Sequence, residues 1–251
     1  MHDPSEGVAS DGTITTGAAR SRVPAVFEPV VTQAVEALDG TVLLYGSVAT
    51  GQARPGRSDV DLLTLDVDPS HAREVAARLS ARFADVCRGV EVAAASSGDF
   101  TGDGDEAYGG RVFLRHYCVP LAGPDPAAGL PAFPADARAA RGFNGDLAVH
   151  AARWRAAAGT TDPAVLGRRV ARKTLLAVAG LVSVHDGTWT TDRARAAARW
   201  SQLRPGLVDG LSRSVRWSDG ADLPDGHAVR AALDEVVAPV VADFADHVGL
   251  W

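Results

Sequence analysis

Apolar residues follow two different periods in the first half of the chain. In residues 23–38 and again in residues 69–86 they recur at the three- and four-residue spacing of a helix that buries one face. Short runs that are almost wholly apolar, at residues 41–45, 60–65 and 89–95, predict buried strands. Strands and helices in this order predict an α/β fold.

The remainder of this half is less regular. Residues 96–110 are rich in Gly and Asp and predict a mobile loop, whereas residues 111–119 alternate between apolar and polar positions and predict a strand. We therefore expect an α/β domain at residues 23–134, with a small mixed sheet flanked by helices. Residues 1–22 are polar and rich in Gly, Ser and Thr, which predicts a disordered tail.

Helical periodicity dominates the second half. Five segments have it, at residues 136–157, 162–184, 191–202, 207–217 and 225–248. Asp162, which is followed by proline, is an expected N-terminal cap, and so are Thr191 and Asp225. These segments predict an all-α helical domain at residues 135–251.

Composition restricts the classes of function. No apolar run reaches eighteen residues, so we expect no membrane span, and the N-terminus lacks the pattern of a secretory signal. Two cysteines, Cys87 and Cys118, do not make a disulfide framework, and we expect a cytoplasmic protein. The net charge of −6 disfavours a nucleic-acid partner and favours a cationic one.

Two aspartates, Asp59 and Asp61, stand two positions apart beside an apolar run. In a strand, side chains at such positions project from the same face, about 6–7 Å apart. Carboxylates this close repel each other unless a cation lies between them, and oxygen ligands of this kind suit Mg²⁺ bound together with substrate phosphates. Two solvent-exposed acids on an edge strand are the alternative, which the apolar neighbours oppose.

A Gly-Ser pair precedes these aspartates by about a dozen residues and follows another apolar run. Gly46 allows the backbone to approach a ligand closely, and Ser47 opens a turn whose N–H groups and hydroxyl suit a phosphate. The pair and the two aspartates together predict a site for a metal and a nucleotide.

Glu91 stands alone among apolar residues in the third predicted strand. An unpaired carboxylate is costly to bury, and a metal or a substrate would explain its place. Pairing with an arginine, or a position on an edge strand, are the alternatives. We expect the strand of Glu91 to neighbour the strand of the two aspartates.

These motifs carry a resemblance to a known family. The segment LLYGSVATGQARPGRSDVDLLTL resembles the signature of the DNA polymerase β-type nucleotidyltransferase superfamily. The later segments VEVA, YGGRVFLRHY, LAGPDP and ARKTLLAVAGLVSVHDGTWTTDRARAAARW are similar, in this order, to the streptomycin/spectinomycin adenylyltransferases. The likeness runs from about Val42 to Trp200. It is specific at six positions: Gly46, Ser47, Ser58, Asp59, Asp61 and Glu91.

The resemblance implies an activity. Enzymes of that family join a nucleotidyltransferase domain to a helical domain and move AMP from ATP to an aminoglycoside hydroxyl with Mg²⁺, which gives antibiotic resistance. It implies ATP as co-substrate, two Mg²⁺ ions, and a base role for Glu91. On this resemblance we expect Asp59, Asp61 and Glu91 to bind the metal and take part in catalysis. We expect Gly46, Ser47 and Ser58 to bind the nucleotide.

The chain departs from the family where cations should meet the triphosphate. Ala179 and Gly180 stand near the position of the family's arginine, and Arg193 is offset by one or two residues from that of its lysine. We expect Arg193 and Lys173, the only lysine, to bind the nucleotide, with Arg172 as a further substitute. A solvated helix cation is the alternative for Lys173.

Other functions remain open at this stage. The acceptor hydroxyl can belong to a small cationic molecule, to a protein or to an RNA end, although the acidic charge disfavours RNA. An antitoxin-like fold that only binds a partner is a further alternative, which the full set of Gly-Ser, Asp-x-Asp and Glu opposes. Monomer and homodimer are both compatible with the sequence. His116 and Trp189 are expected to be packing residues, and Trp189 is also placed to stack on a base or a sugar.

Overall fold

The computed structural model describes residues 3–251 of the chain. It divides into two compact units: the first holds the residues up to Ala9 and Thr13–Phe133, and the second holds Ser10–Gly12 and Pro134–Trp251. The division lies one residue before the expected domain boundary. Within residues 3–251, no helix is long and apolar enough to cross a membrane.

All of the strands found among residues 3–251 lie in the first unit. They are β1 (Gly7–Val8), β2 (Ile14–Thr15), β3 (Thr41–Tyr45), β4 (Val60–Leu65), β5 (Val90–Ala95) and β6 (Val119–Ala122). Its α-helices are α1 (Glu28–Ala37), α2 (Gly46–Ala49), α3 (Pro69–Arg82) and α4 (Asp105–Tyr117). Short 3₁₀ turns lie at Arg20–Arg22, Ala25–Phe27 and Ser97–Phe100.

Four of these strands form one mixed sheet in the order β5–β4–β3–β6. Strand β3 runs antiparallel to both β4 and β6, whereas β4 and β5 are parallel and are joined through α3. This confirms the prediction of a small mixed sheet flanked by helices. Strand β5 lies at one edge of the sheet, which matters for the position of Glu91.

The two faces of the sheet bury different residues because side chains alternate along each strand. Val42, Leu44 and Leu62 face a large apolar core that also contains residues of α1 and α3. On the other face, Leu43 and Leu63 join a smaller cluster with residues of α4. Asp61 and Tyr45 alternate with the first set, and therefore lie on the side of the sheet that α4 covers.

Helix α4 corrects two sequence predictions. Residues 96–110 are not a continuous mobile loop and residues 111–119 are not a strand, because Asp105–Tyr117 is helical. The adjacent glycines Gly109 and Gly110 lower the helix propensity of this segment. Packing nevertheless requires Gly110, because a Cβ there would lie 2.7 Å from the ring of Phe100. Acidic residues in the first turn and basic residues in the last turn complement the helix dipole.

The N-terminal segment is also a correction, since residues 3–22 are not a disordered tail; residues 1–2 lie outside the described range. Strands β1 and β2 pair antiparallel, and Ile14 is 2% exposed. The amide of Ile14 donates to the carbonyl of Phe133, and the hydroxyl of Tyr117 donates to Glu6 over 2.9 Å. The polar composition of this segment gave no sign that it is ordered. Its order comes from hydrogen bonds to α4 and to Phe133, which lie far along the chain.

His116 of α4 is half-buried, as its apolar neighbours predict. Its Nε2 accepts a hydrogen bond from the amide of Phe133 over 2.9 Å, so the ring is neutral. Burial, with the charge of Arg115 as a smaller cause, lowers the pKa of His116 from 6.5 to about 4. Protonation would remove the acceptor that holds Phe133.

We expect this histidine to make the protein less stable in weak acid. The unfolded chain takes up a proton below about pH 6.5 and the folded state resists it, so stability present above that pH is lost as the pH falls towards 4. Because the ring is only half-buried, the loss should be about 1–2 kcal/mol. Urea unfolding of the wild type and of His116→Gln at pH 7 and pH 4.5 measures it. Equal pH dependence in the two proteins would contradict this role.

The second unit is helical, as predicted. Its helices are α5 (Ala137–Asn144), α6 (Leu147–Ala157), α7 (Pro163–Asp186), α8 (Arg193–Leu203), α9 (Val208–Asp219), α10 (Gly226–Ala232) and α11 (Ala238–His247). A 3₁₀ turn lies at Pro205–Leu207, and a π-helical turn at Leu233–Val237 joins α10 to α11. The 24-residue helix α7 contributes thirteen buried residues and is central to this unit.

The helix caps agree with the sequence at two positions and differ at one. Carboxylates of Asp162 and Asp225 accept amide hydrogen bonds from residues three positions later, as expected. The cap of α8 is Asp192, whose carboxylate accepts from the amide of Arg195, and not Thr191. The predicted helix at residues 136–157 is interrupted after α5, at Gly145.

Candidate functional site

Gly46 lies where β3 ends and α2 begins, in contact with Asp61. Its φ of +72° lies in the left-handed region that favours glycine. A Cβ at this position would be 2.3 Å from Oδ2 of Asp61, well inside van der Waals contact. The backbone of the Gly-Ser turn and the carboxylate of Asp61 are therefore direct neighbours, which the sequence motif alone does not reveal.

Gly46→Ala should displace Asp61. The variant combines a strained φ with the collision at Oδ2, and we expect transfer activity to fall by about 100-fold or more. Gly56→Ala is the matched control, since Gly56 has a similar φ of +69° and no atom within 4 Å of an added Cβ. Steady-state kinetics of both variants separates strain from contact, and equal losses would show that the contact with Asp61 is unimportant.

Asp61 and Glu91 are opposite each other on adjacent strands. The parallel pairing of β4 with β5 sets Asp61 against Glu91, as Val60 is set against Val90. Neighbouring strands lie about 4.8 Å apart, so paired residues present their side chains on the same face of the sheet. The expectation that the strand of Glu91 neighbours the strand of the two aspartates is confirmed by this register.

The expected burial of Glu91 is wrong. Its side chain is exposed, because β5 is the edge strand of the sheet. This is one of the alternatives that the sequence left open, and the cost of an unpaired buried carboxylate does not apply. What distinguishes Glu91 is that the strand register places it opposite Asp61.

Asp59 lies just before β4 and is held by Arg88. The Arg88 Nε donates to Oδ1 of Asp59 over 2.9 Å, and its Nη2 donates to Oδ2, which makes a two-pronged ion pair. The hydrogen bond to Asp59 raises the pKa of Arg88, and the charges of Glu91 and Asp61 add smaller contributions. Arg88 is therefore within electrostatic reach of all three carboxylates.

Two residues of this site were not recognised in the sequence. Arg88 precedes a strand, where an arginine is usually solvated, and nothing in the sequence pairs it with Asp59. Tyr45 is paired with Asp61 across β3 and β4. Burial, followed by the charges of Asp61 and Glu91, raises the pKa of the Tyr45 phenol, which therefore stays protonated.

The chemistry of these side chains fits a divalent cation. Asp59, Asp61 and Glu91 supply the oxygen ligands that Mg²⁺ prefers, and the missing Cβ of Gly46 leaves room for Asp61 beside the turn. As they stand, no three His, Cys, Asp or Glu side chains among residues 3–251 are grouped closely enough to hold a metal. Both oxygens of Asp59 accept hydrogen bonds from Arg88 in this arrangement.

Comparison with known families decides the class of this unit. Residues 29–92 match the family model described as a nucleotidyltransferase domain. The chain carries a nucleotidyltransferase domain. The match includes every residue from Gly46 to Glu91 discussed above, and it supports nucleotidyl transfer as the general activity. No curated protein matches the chain.

Within the nucleotidyltransferase domain, the two serines differ in availability. The Ser47 hydroxyl is half-buried and has no hydrogen-bond partner among residues 3–251, so it is able to donate to a phosphate. Ser58 is 3% exposed, and its hydroxyl accepts from the amide of Arg54 over 2.9 Å. Ser58 thus holds the loop before β4, and its contact with a nucleotide stays a prediction.

The cations expected to bind nucleotide belong to the helical unit and not to the nucleotidyltransferase domain. Lys173 is engaged: its Nζ lies 2.7 Å from Oδ1 of Asp146 and donates to the carbonyl of Phe143 over 3.0 Å. It is therefore not the solvated cation of the alternative. Lys173 also lines a cavity of about 100 Å³ with Trp189, which is buried against Phe143 at a centroid distance of 6.1 Å.

Arg193 is better placed to receive an anion. It begins α8, and no residue among 3–251 hydrogen-bonds or ion-pairs with its guanidinium. Burial lowers the pKa of Arg193, and the neighbouring charge of Arg172 adds to this effect. The charges of Asp219 and Asp192 act in the opposite direction, so Arg193 already has carboxylates near it.

Proposed function

We propose that this enzyme transfers AMP from ATP to a hydroxyl of a small cationic acceptor, an aminoglycoside in the first instance. The observation that carries the proposal is the position of Asp61, which touches Gly46 at one side and pairs with Glu91 at the other. A turn suited to phosphate, a metal-binding carboxylate and a general base are thereby adjacent. Each is a requirement of nucleotidyl transfer.

Phosphate binding is proposed for the Gly-Ser turn. The hydroxyl of Ser47 is available as a donor, and Gly46 allows the backbone to approach the ligand. Nucleotide binding by Lys173 and Arg193 stays a prediction, and Lys173 is already paired with Asp146. Ser58 contributes by fixing the loop that presents Asp59.

Metal binding is proposed for Asp59, Asp61 and Glu91, with two Mg²⁺ ions as the expected complement. When bound, such ions offset the charge that develops on the transferred phosphoryl group. The chain's own contribution is to hold the carboxylates at fixed positions of β4 and β5. Arg88 neutralises Asp59 in the metal-free protein.

Glu91 is proposed as the general base. Its exposed position on the edge strand leaves the carboxylate accessible to an acceptor that arrives from solvent. The carboxylate takes the proton of the acceptor hydroxyl while the oxygen attacks the α-phosphorus. The bond between the α- and β-phosphates breaks, and pyrophosphate leaves.

The acceptor class follows from charge and from the family resemblance. A net charge of −6 attracts a polyamine-like molecule and repels RNA. The acidic residues among residues 99–106 give little support to the binding of a cationic acceptor, because several of them have structural roles. Asp99 is used in a capping box, and Asp105 and Glu106 lie in the first turn of α4.

Pyrophosphate release with ATP and Mg²⁺ across a panel of aminoglycosides tests the proposal, with Asp61→Asn as the control protein. Release that depends on streptomycin or spectinomycin and is absent in the control is the expected result. No release with any drug, despite metal-dependent ATP binding, would assign the transfer to a protein or RNA acceptor. A partner that co-purifies in stoichiometric amount, without any transfer, would favour a binding protein instead.

A further inference from the structure

Arg88 occupies the carboxylate that a metal would need. Both oxygens of Asp59 accept hydrogen bonds from its guanidinium, through Nε and Nη2. A divalent cation binds carboxylate oxygens directly, so the guanidinium and the metal compete for the same atoms. They also carry charge of the same sign, which makes joint occupancy unfavourable.

The backbone fixes this competition in place. The amide of Arg88 donates to the carbonyl of Ser58 over 3.0 Å, and the amide of Val60 donates to the carbonyl of Gly89 over 2.9 Å. Oδ1 of Asp59 would lie 3.6 Å from a Cβ on Gly89. The backbone of Arg88 therefore stays beside Asp59 even when the guanidinium group moves away.

The two partners differ in exposure. The side chain of Arg88 is 58% exposed, whereas that of Asp59 is 14% exposed. The Arg88 side chain can turn into the solvent at little cost in free energy, because more than half of it is already exposed to water. The departure of Arg88 would leave the mostly buried carboxylate of Asp59 without a neutralising charge, so it is favourable only when another cation replaces the guanidinium.

We propose that Arg88 is a displaceable counter-ion of the metal site. It balances Asp59 in the metal-free protein and yields that carboxylate to the incoming divalent cation, so that metal affinity is set by an exchange of cations. This inference rests on the proposed function, which places metal at Asp59 and Asp61. It adds a residue for which the family signature has no role, and it makes the protein a weaker metal binder than its carboxylates alone would be.

Binding of Mn²⁺ without nucleotide tests the inference. The unbound ion is counted by its electron paramagnetic resonance signal, in the full-length wild type and in Arg88→Gln. We expect the variant to bind Mn²⁺ about tenfold more tightly, because a two-pronged charged contact no longer competes. Arg78→Gln is the matched control, since it removes the same charge from an exposed position on α3, on the opposite face of the sheet.

Each outcome has a separate meaning. Unchanged or weaker binding in Arg88→Gln, with Arg78→Gln equal to wild type, would overturn the counter-ion role. Asp61→Asn should abolish Mn²⁺ binding; if it does not, or if no protein binds Mn²⁺, the proposed metal site itself fails, and this inference with it. Circular dichroism checks the fold of each variant. If Arg88→Gln does not fold, Arg88→Lys, which keeps the charge but not the two-pronged contact, should bind Mn²⁺ several-fold more tightly than wild type.

Discussion

Asp61→Asn is expected to lower the rate of nucleotidyl transfer by at least about 10³-fold. The amide has nearly the same shape as the carboxylate, but it lacks the negative charge that draws a metal to this point. Asp61 is the centre of the site, since Gly46, Tyr45 and Glu91 all adjoin it. A loss of charge here affects metal binding and phosphate placement together. Pyrophosphate release at saturating ATP and Mg²⁺ measures the effect.

Asp66→Asn is the control for this substitution. Asp66 follows the other end of β4, and its carboxylate accepts a hydrogen bond from the amide of Ser97. Its φ of 59° is one that asparagine also tolerates. The control should retain its rate within about twofold, because it is not part of the site. Activity of Asp61→Asn within tenfold of the wild type would remove Asp61 from the chemistry.

Glu91→Gln is expected to lower transfer by about 10²–10⁴-fold while nucleotide affinity changes by no more than about threefold. The amide cannot accept the proton of the acceptor hydroxyl. Nucleotide binding should persist, because Gly46, Ser47 and Asp61 remain in place. Because Glu91 is exposed, the substitution removes no buried contact, and the fold should be unaffected. Transfer kinetics and nucleotide titration of one protein preparation give both values.

Glu74→Gln is the matched control for Glu91, since it makes the same change at an exposed position of α3. It should behave as the wild type in both assays. Full transfer activity in Glu91→Gln would sink the assignment of the base. Parallel losses of transfer and of nucleotide affinity would instead limit Glu91 to its proposed part as a metal ligand and would remove its role in proton transfer.

The sequence was sufficient to predict an element where the spacing of its apolar residues agreed with a residue that marks its end. Strand β4 occupies the predicted residues, because a mostly apolar run ends at a residue with positive φ, Asp66. The caps at Asp162 and Asp225 were predictable because the carboxylate bonds to an amide only three positions away. The type of each of these elements depends on interactions that are local in sequence.

Sequence was insufficient where a distant residue decided the conformation. The helix α4 contains two adjacent glycines, and Gly110 is compatible with it because the ring of Phe100 fills the space of its side chain. The ordering of Ile14 requires its bond to Phe133, far along the chain. Likewise, the contact of Arg88 with Asp59 joins a residue before β5 to one before β4, and only the register of the parallel pair brings them together.

The order of strands in the sheet has a consequence for how the domain folds. Strands β3, β4 and β5 follow one another in sequence with only α2 and α3 among them, whereas β6 must return to β3 from beyond α4, where Ala122 pairs with Val42. Closing that longer loop costs more chain entropy, so we expect β6 to dock last. The turn at Gly46 and the carboxylates of Asp61 and Glu91 all belong to the part that forms first.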